Sequence, residues 1–318
     1  MDKKDRRLLY ELTEDSRQSY ARLARRVGLT QETVRYRINR LLAQGVIQKF
    51  LGVVNTSRLG FSYYQILLRL HNIDEDKKRE IIAFLQDSPR VSWVADLEGN
   101  YDLAFIVCTR NTLELNKAIS TLYDKYSAYI SKRTVSVHLS GKFFSRTYLI
   151  EQERTFSKEY AYELEGKQTA LDDSDSQICK LLSLDGRASA IGMASHLNLS
   201  PDAVLGRIKR LQQEGFLTAF TLVLDNQRAG QAHYKILIYL NNLSTERLQA
   251  FYNYCKSEQR VIAIIHSLGE WDYEIDLEVQ THEQLRQFIM SLTKVHATII
   301  RDYDLCEIKR IYKYNFYP

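Results

Sequence analysis

The sequence predicts an α+β fold made of two tandem copies of one unit, each a three-helix segment followed by a βαββαβ segment. Three observations carry this. The same residues recur 170 positions apart in one register. Apolar positions early in each copy keep helical spacing. The rest of each copy switches between strand and helix periods.

The register is dense. Asp5, Asp15, Arg17 and Ala24 recur as Asp175, Asp185, Arg187 and Ala194. Val34, Arg37, Ile38, Arg40, Leu41 and Gly45 recur as Val204, Arg207, Ile208, Arg210, Leu211 and Gly215. It continues through Gly60/Gly230, Tyr64/Tyr234, Arg90/Arg260, Gly99/Gly269, Asp102/Asp272 and Leu122/Leu292. Solenoid repeats are far shorter, so this period reads as a fused dimer.

Each copy opens with a helix whose apolar face holds Leu8, Leu9 and Leu12 in the first copy. A short helix from Tyr20 to Arg26 buries Leu23 and Ala24. After the Gly28-Leu29-Thr30 turn, Thr30 is placed to cap a third helix, from Gln31 to Ala43. Val34, Ile38, Leu41 and Leu42 form its apolar stripe, and Gly45 fits its stop. Residues 46–54 and 216–224 read as β structure, apt for a wing or a linking strand. Pro201 sits at the first position of the second copy's third helix, where its missing N–H costs nothing.

Two short helices joined by a tight turn and followed by β structure describe a winged helix-turn-helix. In the first copy Gln31, Thr33, Arg35, Tyr36, Asn39 and Arg40 lie off the apolar stripe, with donors and cations suited to base edges and phosphates. Arg22, Arg25 and Arg26 on the preceding helix are placed to meet the backbone. Arg22 and Arg26 join the six residues of the third helix as the DNA-binding candidates.

Charge separates the copies. Residues 1–50 hold twelve bases and six acids, a net charge of +6, whereas residues 171–220 hold five bases and six acids, a net charge of −1. The second copy keeps the hydrophobic pattern without the positive field, which predicts weak DNA binding or an interaction surface there.

The remainder of each copy reads β-α-β-β-α-β, the ferredoxin-like split unit, with strands near residues 63–70, 91–96, 101–108 and 130–139 and helices near 77–85 and 113–126. Its sheet covers one face with helices and leaves the other bare. That bare face predicts pairing with a second sheet, which the duplicated chain supplies within itself. The expected boundaries are 1–60 and 171–230 for the helix-turn-helix domains, 61–149 and 231–318 for the ferredoxin-like domains, and a polar linker at 150–170. The aromatic segments Phe143, Phe144, Tyr148 and Tyr312, Tyr314, Phe316, Tyr317 are read as packing rather than binding.

No apolar run approaches the ~20 residues of a membrane span, and the charged start lacks the apolar core of a secretory signal. The cysteines Cys108, Cys179, Cys255 and Cys306 are scattered and none has a cysteine mate. That disfavours a disulfide framework or a metal site and points to the cytoplasm.

Several motifs together resemble the Lrp/AsnC family, the feast/famine transcription regulators. They are Asp5-Arg6-Arg7-Leu8-Leu9, Leu23-Ala24-Arg25-Arg26-Val27-Gly28-Leu29-Thr30 and Val34-Arg35-Tyr36-Arg37-Ile38-Asn39-Arg40-Leu41. Gly99-Asn100-Tyr101-Asp102 and its mate Gly269-Glu270-Trp271-Asp272 are similar to the family's effector-module (RAM domain) turn. The departure is the fusion, since the usual member carries one copy and dimerises. The resemblance implies double-stranded DNA and an amino acid or related small metabolite as partners. It also implies a homo-oligomer of two or four duplicated chains, with no membrane and no cofactor. Gly99, Asn100, Asp102, Gly269, Glu270 and Asp272 are the effector-binding candidates, since glycine permits close ligand approach and a carboxylate can meet an ammonium.

Histidines show no metal-ligand spacing, and no nucleophile elbow or phosphate loop is present, so no catalytic residue is assigned. The alternative is a sirohaem decarboxylase-like enzyme, which shares the paired architecture. Its candidate residues are His138, His233, His266 and Arg260, and they do not recur as a set.

Overall fold

The computed structural model describes residues 1–152, 159–164, 168–315 and 317. The first head holds α1 (Lys3–Glu14), α2 (Tyr20–Val27) and α3 (Gln31–Ala43), then β1 (Ile47–Val54). Ser19 and Thr30 cap α2 and α3 by accepting amide N–H groups of the first turn, and Gly28 ends α2 in the left-handed region at φ +67°. The first ferredoxin-like module follows with β2 (Ser62–Leu70), α4 (Glu75–Asp87), β3 (Val91–Gly99), β4 (Leu103–Thr109), α5 (Thr112–Tyr126) and β5 (Ile130–Phe143). After β6 (Tyr160–Glu163) the order repeats. The second head has α6 (Asp173–Leu184), α7 (Ala190–Leu197), α8 (Pro201–Gln213) and β7 (Leu217–Leu224). The second module has β8 (Ala232–Leu240), α9 (Thr245–Ser257), β9 (Val261–Leu268), β10 (Tyr273–Val279), α10 (His282–Val295) and β11 (Ile300–Tyr314).

The four strands of each module take the ferredoxin-like order, β5-β2-β4-β3 and β11-β8-β10-β9. Their helices cover the outer faces: α4 and α5 supply Ile81, Leu85, Ile119 and Leu122 to one core, and α9 and α10 supply Phe251, Phe288 and Leu292 to the other. The bare faces meet inside. The edges also join, β3 with β11 and β5 with β9, so eight antiparallel strands close into one barrel. Closure removes the exposed edges that a lone module would present. It also explains why β5 and β11 outrun the predicted strands. Past the predicted ends at 139 and, in the second copy, 308, residues 140–143 and 309–314 continue because the opposite module gives them a partner.

Of the two roles open to residues 46–54, the structure takes the linking one. β1 pairs antiparallel with β7, forming a ribbon between the heads in place of a separate wing on each. Each head packs on the other copy's strand, Leu222 and Leu224 joining the core of the first and Val54 that of the second. The backbone follows the same two-fold exchange: Ser16 N–H donates to Phe220 O, and Gly186 N–H to Phe50 O.

The predicted linker is corrected in part. Residues 160–163 form a strand on β5, and Tyr162 is buried there with its ring 5.0 Å from that of Tyr63. Polar composition hid this, since only alternate residues face inward. Phe316 lies outside the described residues. Tyr148 and Phe144 are buried in cores, as packing predicts, while Tyr317 reaches Ser176. No helix among the described residues is long and apolar enough to cross a membrane. The four cysteines are buried and free.

Candidate nucleic-acid interface and inter-sheet cavity

α3 buries Val34, Ile38 and Leu41 and turns Gln31, Arg35, Tyr36 and Asn39 outward; Tyr36 is 65% exposed. Arg22 and Arg25 stand exposed on α2. The side chains of Arg22, Arg25, Gln31, Arg35 and Asn39 have no hydrogen-bond or ion-pair partner recorded among the described residues. They form one polar, cationic face. Thr33 sits at its edge, half-buried, its hydroxyl 2.8 Å from that of Thr30.

Two of the predicted contact residues have carboxylate partners within the head. Arg40 donates to both carboxylate oxygens of the buried Asp5 at 2.7 Å, and Arg37 joins at 2.7 Å. Arg210 and Arg207 make the same contacts to Asp175 in the second head. The network is kept where the positive field is gone, and in both heads it ties the third helix to the first. Arg26 donates to Glu11 at 2.6 Å, a carboxylate that is 1% exposed and also faces Arg7 at 3.0 Å. Periodicity shows which face a residue occupies but not which partner it has found.

The second head differs at the same places. Ile191, Gly192, Asp202, Ala203, Leu205 and Gly206 occupy its outward face, with Ile191 73% and Leu205 50% exposed. That face lacks the cations of Arg22 and Arg35.

The two glycine turns serve a different purpose from the one predicted. At Gly99, φ +138°, an added Cβ would stand 2.6 Å from the Leu305 carbonyl oxygen of β11. At Gly269 it would stand 2.9 Å from the Ser136 side chain on β5. The room each glycine leaves is filled by the opposite module. Asp102 accepts the Leu70 N–H and Asp272 the Leu240 N–H, each at 2.7 Å, so both close strand ends. Asn100 donates to Asp304, and Glu270 lies 3.5 Å from Lys132 across the junction. Gly99, Asn100, Gly269 and Glu270 thus sit at the junction of the modules, while Asp102 and Asp272 bond within their own. None of the six is among the residues lining the cavity described next.

The cavity lies at the other end of the barrel, under the β1–β7 ribbon, and encloses about 110 Å³. Every barrel strand contributes to its wall, including Gln65, Trp93, His138, His233, Lys235 and Asp276. An apolar layer of Leu67, Leu97, Tyr101, Leu237 and Trp271 separates it from the turns. Lys235 is buried between Glu274 at 2.7 Å and Asp276 at 3.0 Å. Glu274 also meets His138 Nε2 at 3.1 Å and accepts from Trp271 Nε1 at 3.1 Å. Burial pushes the Glu274 carboxyl toward the neutral form, yet Lys235 and His138 hold it well below the usual carboxylate range. Arg146 grips Glu278 through two nitrogens at 2.8 and 3.0 Å, and holds it low in the same way. Of the enzyme candidates, His138 and His233 line this cavity, whereas His266 stacks on Tyr273 and Arg260 lies over the Tyr148 ring.

Sequence reading missed this cluster. The signal was Glu274, Asp276 and Glu278 alternating with apolar residues, which looks like a strand with a solvated face. Their mates Ala104, Ile106 and Cys108 show that the face is internal.

These features define a protein with two helix-turn-helix heads, one of them basic, on a fused barrel. Comparison with known proteins identifies it further. The AsnC-type helix-turn-helix domain matches residues 1–42 and again 171–212. An uncharacterized HTH-type transcriptional regulator of Pyrococcus abyssi is 33% identical over 121 residues, 37% of this chain and 74% of the relative. One from Pyrococcus furiosus is 28% identical over 134 residues, 42% of this chain and 89% of the relative. The chain belongs to the Lrp/AsnC family; it is a transcription regulator of that type, and its helix-turn-helix implies DNA as a partner. Over its full length the fold is similar to the sirohaem decarboxylase NirDL, with a TM-score of 0.62 and 15% identity, covering 99% of this chain and 93% of that one.

Proposed function

We propose that the chain reads operator DNA through its first head alone and responds to a small metabolite through the fused barrel. Arg22 and Arg25 meet phosphates, while Gln31, Thr33, Arg35, Tyr36 and Asn39 enter the major groove. The observation that carries this is the internal contrast. Both heads keep the same helices and the same Asp–Arg network, but where the first presents Arg22, Arg25, Gln31, Arg35 and Asn39 outward the second presents Gly192, Ser195, Pro201, Leu205 and a single cation, Lys209. A two-fold operator therefore takes two chains, and the second head acts as a scaffold or contact surface. Chain count by native mass spectrometry, with and without a selected duplex, tests the stoichiometry. One chain protecting both half-sites overturns it.

The second reading, a tetrapyrrole-processing enzyme, has one observation in its favour: His138 and His233 share a cavity in a NirDL-like fold. Size and charge oppose it. Pockets for sizeable organic ligands run roughly 300–1,000 Å³, against about 110 Å³ here. The lining cations Lys235 and Arg146 are already paired, with Glu274 and Asp276 and with Glu278, a poor match for a polycarboxylate. Incubation with sirohaem tests it, and decarboxylation would overturn the regulator reading.

A further inference from the structure

The barrel cavity carries chemistry that packing does not require. In the first copy, β4 turns Ala104, Ile106 and Cys108 inward, an ordinary core. At the same places β10 turns Glu274, Asp276 and Glu278 inward, and the mates of Gln65 and Tyr63 are Lys235 and His233. One copy of a duplicated strand has thus acquired three carboxylates in a buried space. Burying a charge is costly unless it is paired, so an acidic row there needs cations.

Two carboxylates are served. Arg146 grips Glu278, and Lys235 and His138 satisfy Glu274. Asp276 shares Lys235 with Glu274 and is the one of the three whose side chain is open to the cavity, 18% exposed against 0% for the others. Beside it His233, 6% exposed, turns Nε2 toward Asp276 Oδ1 at 3.9 Å, too far for a direct hydrogen bond. His233 Nε2 and the Oε1 of the fully buried Gln65 have no hydrogen-bond partner among the described residues. Asn226 Oδ1 is likewise unpaired while its amide lies 3.0 Å from His233 Nδ1. Turning that amide lets Oδ1 accept from Nδ1–H and leaves the Nε2 lone pair facing the cavity. The site then offers acceptors on Nε2, Asp276 and Gln65, between the aromatic rings of Trp93 and Tyr314.

We propose that this cavity binds a small primary amine in its ammonium form, the nitrogen donating to His233 Nε2 and to the Asp276 carboxylate and the alkyl portion lying against the aromatic rings. Cation–π attraction adds to the carboxylate's pull on the ammonium. About 110 Å³ admits a compact alkylamine and no large ligand. The ribbon residues Thr221 and Leu222 roof the cavity, so occupancy is reported to the strands that join the heads. That consequence rests on the regulator reading; binding itself does not.

Isothermal titration calorimetry of the full chain with isoamylamine, L-leucine and isovalerate, which share one branched alkyl group, tests the site. The amine is expected to bind at least tenfold more tightly than either of the others. Asp276→Asn and Asp276→Ile, the latter installing the first copy's residue, should each weaken it at least tenfold while thermal unfolding shows a folded chain. Tighter binding of leucine or isovalerate, no heat with any of the three, or unchanged affinity in folded Asp276 variants overturns the proposal. Titrating duplex DNA separately keeps the readings apart. Amine failure with intact DNA binding leaves the regulator standing, and the reverse leaves the site standing.

Discussion

Arg17 and Arg187 exchange places across the two heads. Arg17 Nη1 donates to the carbonyls of Gly186 and Ala188 at 2.9 and 2.8 Å, and Arg187 returns bonds to Ser16 and Gln18 at 2.5 and 3.3 Å. Each guanidinium also lies over an aromatic ring of the β1–β7 ribbon, Arg17 on Phe220 and Arg187 on Phe50. The exchange fixes one head against the other. Arg17→Ala should therefore destabilise the chain by about 1.5–3 kcal/mol, the scale of a lost hydrogen bond to a charged group. Denaturant unfolding checks this, and an unchanged midpoint would remove the exchange from the account.

Arg35 and Arg40 lie on one helix and should fail differently. Arg35→Ala is expected to cost about 1–3 kcal/mol of DNA affinity with stability intact. Arg40→Ala should lower the unfolding midpoint, because it strips a partner from the buried Asp5. Parallel anisotropy titration and thermal melting separate the two. Equal melting curves for both variants would return Arg40 to the DNA face.

The glycine turns are predicted to be stability sites. Gly99→Ala places a Cβ 2.6 Å from Leu305 O at a φ of +138°, and should cost about 1–3 kcal/mol. Gly269→Ala should cost less, since φ there is not positive and its neighbour at 2.9 Å is the Ser136 side chain. Differential scanning calorimetry gives the order.

Acid should weaken the fold in two stages. Burial holds His233 below its ordinary range, so the folded chain keeps it neutral while the unfolded chain takes up a proton below about pH 6.5. That stability is present above pH ~6.5 and is lost as pH falls toward the folded value. His266 and His296 shift in the same direction through burial. Glu274 and Glu278 are held low by Lys235 and Arg146, so their share is present above about pH 4.3 and is lost below it. A melting series from pH 8 to 3 should show a shallow decline and then a steep one. His233→Tyr, the first copy's residue at that place, should reduce the first.

Most of the fold was legible because helices and strands announce themselves by period and caps. Thr30, Gly28 and the stripe Val34–Ile38–Leu41 place α2 and α3 directly. Long-range pairing was not legible. Nothing local in residues 47–54 names β7 as partner, and the tails of β5 and β11 lengthen only because the opposite module receives them. The polar face of α3 was legible as a face. The ion pairs of Arg26 and Arg40 were not, because their acceptors, Glu11 and Asp5, lie 15 and 35 residues away. The acidic row on β10 was visible as an alternation, but only barrel closure shows that its polar side points inward.

The central claim is that two heads of one ancestry differ in function. The heads share strands and cores, so the intact chain is the proper object. Duplexes selected from a random library by the full-length protein should be titrated against Arg22→Ala/Arg35→Ala and against a second-head pair on the corresponding face, Leu205→Ala/Lys209→Ala, at the places of Arg35 and Asn39. The account predicts at least a tenfold loss of affinity from the first pair and less than a twofold change from the second. Equal losses from both pairs would contradict it.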